Sequence, residues 1–209
     1  MNTNDFKPFD YYQEKNPWET IFTKQREIFL RFMEVEGYEN FAEYDFDINT
    51  LIDQELFKEF MNRVIEELCE ATLDVEHNDH FVEEIVDALN FLVETYLIYG
   101  WTEKDLPPWE TSAARDGFLP NISLKNTRDL KANTYTVIEK ICATNNLLKN
   151  RKWKQTQYLV DLLVFEERFK DVWELFNEYV NWLGISEQLL FSVWSQKFQT
   201  NYFRAMSAY

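Results

Sequence analysis

Four carboxylates at helical spacing are the residues of this sequence best suited to chemistry. They form two pairs, Glu67 with Glu70 and Glu84 with Asp87. Residues three apart lie on the same face of a helix, so each pair can direct its oxygens toward one point. The segment between the pairs, residues 76–79, is polar and short enough for a turn, which favours antiparallel packing of the two helices. The carboxylates would then share one cleft, and hard divalent cations such as Mg²⁺ take oxygen ligands of this kind.

A solvated surface is the alternative interpretation of these acids. The chain has 37 acidic residues, so pairs with this spacing also arise by chance on exposed helix faces. The sequence around them favours a partly buried position, because both pairs adjoin apolar side chains. These are Ile65, Leu68, Leu73, Phe81, Ile85, Val86, Leu89 and Phe91. A partly buried carboxylate needs a partner, and a cation can be that partner.

The composition predicts one all-α domain. With 209 residues and 45% hydrophobic side chains, the chain can bury a substantial core. It contains only 4 Gly and 5 Pro, which favours helix nearly throughout. The formal net charge of −16 argues against binding to nucleic acid, because affinity for phosphate backbones comes from clustered Lys and Arg.

Cysteine usage and the absence of targeting signals indicate the compartment. Cys69 and Cys142 are the only cysteines, so no disulfide framework is predicted. Cys69 is interpreted as a small core residue rather than a ligand or a nucleophile. The N-terminus lacks the basic start and apolar run of a signal peptide, and no stretch has the apolar length of a membrane span. We therefore expect a soluble cytoplasmic protein without a membrane partner.

Apolar periodicity and breaker residues predict six helices. Their expected ranges are 17–35, 51–73, 80–99, 135–149, 156–183 and 186–204. Gly and Pro residues in the region 101–130 make it the best candidate for a mobile or inserted segment. In the first helix, spacing alone places Lys24, Gln25 and Arg26 on the surface.

A basic cluster stands out in so acidic a chain. It comprises Lys149, Arg151, Lys152 and Lys154. Because the cluster follows the fourth predicted helix, the first interpretation is that its cations stabilise the C-terminus of that helix by interacting with the helix dipole. Contact with phosphate is the second interpretation.

Two motifs together resemble the all-α NTP pyrophosphatases. An ExxE pair followed by ExxD on the next helix is similar to the metal-binding signature of that superfamily, which includes the MazG proteins, the dimeric dUTPases and the phage dCTP pyrophosphatases. The last two form a branch whose final core helix ends with K-x3-N-x2-R-x4-Y. This chain has the same spacing at Lys197, Asn201, Arg204 and Tyr209. Gln25 also falls where the first helix of that branch carries a Gln.

The resemblance, which spans about residues 18–209, implies a fold, a reaction and a site. The fold is an all-α helical bundle with an inserted, mobile helical segment at about 101–155, and the protein is a homodimer. The reaction is hydrolysis of a deoxynucleoside triphosphate to its monophosphate and pyrophosphate, assisted by two or more Mg²⁺ ions, with Mn²⁺ as an alternative. The implied metal ligands are Glu67, Glu70, Glu84 and Asp87, the general base is Glu70, the phosphate ligands are Lys197, Asn201, Arg204 and Tyr209, and the base contacts are Gln25 and Asn90.

Four departures from the branch pattern lie near base recognition. The branch has His where this chain has Asn90, Asn or Gln where it has Phe29, Gln where it has Ala205, and Gly where it has Ala208. The resemblance therefore implies a pyrimidine nucleotide, dUTP first and dCTP next, with modified and purine bases left open. The chain end at Tyr209 is similar to that of the phage enzymes, which suggests a viral origin.

Two other functions remain open at this stage. The fold could serve as a catalytically inactive nucleotide-binding or sensor protein. It could also be a structural helical protein whose acid pairs are solvated. Metal-dependent release of pyrophosphate would identify the enzyme, and a melting temperature that responds to Mg²⁺ would identify the metal site.

Overall fold

Six α-helices make up most of the chain that the computed structural model describes, which is residues 9–38, 40–73, 78–110 and 126–207. In chain order they are α1 (Pro17–Val35), α2 (Leu51–Leu73), α3 (Asn78–Tyr99), α4 (Thr127–Asn145), α5 (Leu162–Leu183) and α6 (Glu187–Met206). Short 3₁₀ turns cover Tyr11–Gln13, Phe41–Glu43 and Glu103–Asp105. These described ranges contain no strand, which confirms the all-α class. None of their helices combines the length and the apolar character needed to cross a membrane.

The first three helices begin and end close to where the sequence predicts. The Asn16 side chain caps α1 by accepting a hydrogen bond from the Glu19 N–H at 3.3 Å, and Pro17 takes the first helical position. Helix α3 ends before Gly100, whose φ of 89° lies in the left-handed region that favours glycine. These local signals are strong enough to be identified from sequence alone.

Helices α2 and α3 pack against each other in an antiparallel pair. The rings of Phe60 and Phe91 lie 6.4 Å apart between their centroids, and further along α2 Glu67 faces Asp87. Residue numbers therefore rise along one helix as they fall along the other. This arrangement confirms the predicted antiparallel packing and brings the two acid motifs to the same end of the pair.

Helices α1 and α6 both pack on α3 and on each other. The Trp18 indole N–H donates to the Glu187 carboxylate at 2.7 Å, and further along the Trp194 indole N–H donates to the Gln25 Oε1 at 3.4 Å. The order of these contacts shows that α1 and α6 run parallel. Together with α2 and α3, they enclose the space described below as the candidate site.

Aromatic side chains of the main core join α3 to α5. The rings of Tyr96 and Phe169 stack at 4.1 Å, and the Tyr96 hydroxyl donates to the backbone oxygen of Phe169 at 2.8 Å. Phe57 of α2 and Trp173 of α5 also contact this pair. The core is continuous across all six helices, so the site rests on a rigid support.

Helix α4 begins at Thr127 instead of the predicted Tyr135 and ends at Asn145 instead of Lys149. Asn126 caps its start by accepting from the Arg128 N–H at 2.9 Å. The apolar period does not reveal the early turns, because a polar residue, Thr134, takes a fully buried position in the apolar stripe. Its hydroxyl pairs with the Tyr179 hydroxyl at 2.8 Å, which satisfies it inside the core.

Helix α5 begins at Leu162 rather than at the predicted Thr156, because Asp161 caps it. The residues before the cap bond to distant side chains instead of to a helix. The Tyr158 N–H donates to Asn150 Oδ1 at 2.7 Å, and the Val160 N–H donates to Asn49 Oδ1 at 2.8 Å. Long-range side-chain acceptors of this kind leave no periodic pattern in the sequence.

The predicted insertion at about 101–155 lies partly outside the described residues, since 111–125 are not described. Its later part contains α4, which packs against α2 and α5 and buries Leu130, Val137 and Ile141 completely. This part therefore belongs to the main core. Motion of the whole segment stays a prediction.

Candidate metal and nucleotide site

Three of the four predicted metal ligands come together at the α2–α3 interface. Carboxylate oxygens of Glu67, Glu84 and Asp87 all lie within 4.8 Å of one another, and each side chain is half-buried. Oxygens on opposite sides of a Mg²⁺ ion lie about 4.2 Å apart, so small side-chain movements would fit the cluster to one ion. Glu70 lies one turn further along α2, is exposed, and is not part of this cluster.

The cluster carries more negative charge than its surroundings compensate. Partial burial, a hydrogen bond with Glu84 and the nearby charges of Asp87, Glu70 and Glu84 raise the pKa of Glu67 to about 8. A carboxyl that holds its proton near neutral pH indicates a place where a cation would be favourable. The donor set and its electrostatics therefore fit a hard divalent cation.

One cation from α6 already contacts the cluster. The Lys197 ammonium donates a hydrogen bond to Asp87 Oδ2 and lies 4.0 Å from a Glu83 oxygen. Asn90 donates a weak bond from Nδ2 to the other Asp87 oxygen at 3.5 Å. Asp87 is thus the point at which the predicted metal ligands meet the predicted phosphate and base contacts.

A cavity of about 580 Å³ extends from the acid cluster between α1, α2, α3 and α6. Glu67 and Asp87 line one end, beside Asn201 and Arg204. A neighbouring cavity of about 360 Å³ shares Asp87, Asn201 and Arg204 and adds Lys197. Three of the four predicted phosphate ligands therefore lie around the acid cluster, and the fourth, Tyr209, lies outside the described residues.

Arg204 is a second cation beside the acid cluster. Its side chain is exposed at the boundary of the two cavities, and within the described ranges it forms no ion pair. A guanidinium in this position can bind two oxygens of one phosphate group. Asn201, half-buried one turn earlier on α6, adds an amide to the same boundary.

The other end of the cavity is aromatic. Phe29 and Phe60 meet edge to face with ring centroids 5.5 Å apart, Phe91 follows on the same wall, and the Arg63 guanidinium lies 5.7 Å from the Phe91 centroid. Phe32 also lines this part. Such a wall suits a flat ligand ring, because stacking on aromatic faces is favourable for every nucleobase.

Gln25 lies in the cavity wall but is buried, so its predicted surface position is wrong. Its Nε2 donates to Glu94 Oε1 at 2.8 Å, and its Oε1 accepts from the Trp194 indole. Both ends of the amide are therefore engaged, and Gln25 orients Glu94. Its direct contact with a base stays a prediction.

Glu94 is the site residue that the sequence analysis missed. It lies in α3 two turns after Asp87, lines the same cavity, and is only 6% exposed. Burial raises its pKa to about 7, although the hydrogen bond from Gln25 and the charge of Arg63 act in the opposite direction. Because Asp87 and Glu94 are separated by seven residues, the helical period alone would have placed them on one face.

One other sequence interpretation is wrong, because Cys69 is exposed on α2 rather than a core residue. The basic cluster follows the end of α4, where Lys149 donates to the side chain of the C-cap residue Asn146 at 2.9 Å and Arg151 donates to the backbone oxygens of Leu148 and Asn150 at 2.9 and 2.7 Å. Its interaction with the helix dipole stays a prediction. None of its four cations lines either cavity at the candidate site.

Comparisons of the chain with protein-family models, with curated proteins and with solved structures found no match. The resemblance to the all-α NTP pyrophosphatases therefore stays a prediction that depends on the motifs themselves. The geometry of the site is an independent basis for a functional proposal.

Mg²⁺ is expected to raise the melting temperature more at about pH 8.5 than at about pH 6. The folded-state pKa of Glu67 is raised, so its contribution to stability is present below the unfolded pKa and is lost as the pH rises through about 8. Mg²⁺ held by the ionised carboxylates would offset this loss. Thermal melts with Mg²⁺ or with EDTA at both pH values measure the effect. An equal shift at both values would contradict the assignment of Glu67 as a ligand.

Proposed function

We propose that this chain hydrolyses a deoxynucleoside triphosphate to the monophosphate and pyrophosphate with the aid of Mg²⁺. The observation that carries the proposal is the meeting of three elements around Asp87. These are a three-carboxylate cluster, cations and an amide from α6, and a cavity that leads to an aromatic wall. They correspond to the metal, phosphate and base parts of a nucleotide complex.

Glu67, Glu84 and Asp87 would hold the metal, with Glu70 as a fourth predicted ligand. When bound there, Mg²⁺ supplies positive charge that neutralises phosphate oxygens and polarises the reacting phosphoryl group. The chain's own part is to position the substrate. Phosphoryl transfer depends mainly on such positioning and on charge stabilisation.

The phosphates would lie at the boundary between the two cavities. Arg204 would bind them, and Lys197, which pairs with Asp87 and lines the second cavity, would be the second cation to contact them. Asn201 would add a hydrogen bond from its amide. Glu70 stays the predicted general base, since its exposed position beside the cluster allows it to pass a proton to solvent.

The remaining properties are proposed from the resemblance alone. They are a pyrimidine substrate with dUTP first and dCTP next, homodimer formation, a cytoplasmic location and a viral origin. The aromatic end of the cavity supports a nucleobase as the recognised group.

Release of pyrophosphate and monophosphate from a panel of dNTPs and NTPs, with Mg²⁺ or with EDTA, tests the reaction. We expect metal-dependent formation of one dNMP and pyrophosphate in equal amounts. Release of inorganic phosphate instead, or equal rates in EDTA, would contradict cleavage between the α- and β-phosphates.

A nucleotide-binding sensor is the second candidate. Two observations favour it: Lys197 contacts Asp87, and Glu70 lies outside the carboxylate cluster. A sensor would bind nucleotide and Mg²⁺, and its melting temperature would rise, but the panel would yield no product. The same set of measurements therefore separates the two candidates.

A further inference from the structure

Two buried hydrogen-bond acceptors lie on one face of α3, beside the aromatic end of the cavity. Asn90 and Glu94 are each 6% exposed, lie one turn apart, and both line the cavity. Asn90 Oδ1 is buried without a hydrogen-bond partner in the described part of the chain. Buried acceptors are rarely left unpaired in proteins, so Asn90 Oδ1 is an acceptor that a ligand could satisfy.

The Glu94 carboxyl is held in a fixed orientation. Gln25 donates to its Oε1 at 2.8 Å, and Trp194 in turn donates to Gln25, so α1 and α6 both constrain it. Among the described residues, Glu94 Oε2 has no hydrogen-bond partner. Each carboxylate oxygen can accept two hydrogen bonds, so both oxygens can still pair with a ligand.

The position of Glu94 matches the base of a nucleotide whose phosphates lie at the acid cluster. Seven residues of α-helix separate it from Asp87, a rise of about 10 Å along α3. The aromatic wall of Phe29, Phe60 and Phe91 lies at the same end. A base stacked on this wall would present its edge to Glu94 and Asn90.

The two acceptors together select among the bases. In cytosine and adenine, an amino group adjoins a ring nitrogen acceptor, which matches a protonated carboxyl. In guanine, an amino group adjoins a ring N–H, which matches a carboxylate. In uracil and thymine, the ring N–H and a carbonyl oxygen can also pair with a protonated carboxyl, but no second hydrogen is left for Asn90 Oδ1, which stays unpaired. Pairing of both Glu94 and Asn90 therefore requires an amino group on the base.

We propose that Glu94, with Asn90 beside it, recognises an exocyclic amino group, so the site takes cytosine, adenine or guanine nucleotides and discriminates against uracil and thymine. The two hydrogens of an amino group would satisfy one acceptor each. The inference rests on the proposed function for the placement of the phosphates. It reverses the order of substrates that the sequence resemblance implies, in which dUTP comes first.

Equilibrium binding of dCMP, dAMP, dGMP, dUMP and dTMP in the presence of Mg²⁺ tests the inference without any need for hydrolysis. We expect at least one amino-bearing monophosphate to bind about 10-fold or more tightly than dUMP and dTMP, because a site built to bond a polar group rejects analogues that lack it. Tightest binding of dUMP or dTMP, or no binding of any monophosphate, would overturn the inference.

Asn90→Leu, with the exposed Asn62→Leu on α2 as the matched control, identifies the residue responsible. We expect Asn90→Leu to weaken binding of the preferred monophosphate about 10-fold or more while leaving dUMP within about 2-fold, because only the amino-bearing base has a hydrogen for Asn90 Oδ1. An equal change for all five ligands would overturn the assignment to Asn90. The control is expected to match the unmodified protein.

Hydrolysis rates for the five corresponding dNTPs separate this inference from the proposed function. A binding preference for an amino-bearing base without pyrophosphate release would support the inference and defeat the proposed reaction. Fastest release from dUTP would support the reaction and overturn the inference.

Discussion

Replacement of Asp87 by Asn is expected to lower kcat/KM for the best dNTP by about 10²- to 10³-fold, the scale seen when one electrostatic group is removed from a reacting centre. Asp87 belongs to the carboxylate cluster, lines both cavities and accepts the hydrogen bond from Lys197. Asparagine has nearly the same size as aspartate, but it removes a charge from the candidate metal site. Steady-state release of pyrophosphate measures the loss, and the rise in melting temperature with Mg²⁺ should shrink in parallel.

Asp129→Asn is the matched control, because Asp129 is exposed on α4 and lines neither cavity. It is expected to keep full activity. Activity retained in Asp87→Asn would remove the α3 motif from the site.

Glu70→Gln, measured in the same assay, tests the role of the exposed Glu70. A loss comparable to that of Asp87→Asn would support Glu70 as ligand or base, and unchanged turnover would restrict the site to the three clustered carboxylates.

Replacement of Lys197 by Met is expected to lower turnover and to tighten Mg²⁺ binding at the same time. Charged hydrogen bonds contribute about 1.5–3 kcal/mol, which corresponds to a loss of about 10- to 150-fold in kcat/KM if Lys197 binds the phosphates. The Lys197 ammonium pairs with Asp87, so its removal leaves that carboxylate free for the ion. Activity assays and melts across a Mg²⁺ titration measure the two effects separately.

Lys24→Met is the control for this variant, since Lys24 forms an ion pair with Glu27 on the surface of α1. Such exposed pairs contribute little to stability. If Lys197→Met weakened Mg²⁺ binding, the ammonium would not compete for Asp87. If it left kcat/KM unchanged, Lys197 would not be a phosphate ligand.

The parts of the fold that could be predicted from the sequence have local causes. The sequence predicts α2 because its apolar period is regular, and it predicts the start of α1 because Asn16 and Pro17 mark it. It does not predict the first turns of α4, because Thr134 satisfies its hydroxyl inside the core through Tyr179, a partner distant in sequence. Errors of this kind arise wherever a polar group is paired by the tertiary structure.

The candidate site likewise has a part that depends on local spacing and a part that depends on the tertiary structure. The spacing of Glu67, Glu84 and Asp87 on two adjacent helices could be recognised directly, because each pair needs only one helix face. The orientation of Glu94 could not, because it depends on where α1 and α6 cross α3 and bring Gln25 and Trp194 to it. The sequence contains these residues but does not show that they meet.

The buried hydrogen bonds that link Trp194, Gln25 and Glu94 also limit how this protein can evolve. The three residues belong to three helices that are far apart in the gene, so they change by separate mutations. A single substitution at any of them leaves a buried polar group without its partner, and the effects of several substitutions should not add. A lineage that altered its base preference would therefore pass through a less stable intermediate unless a compensating mutation came first. Natural variants at these three positions are expected to change together.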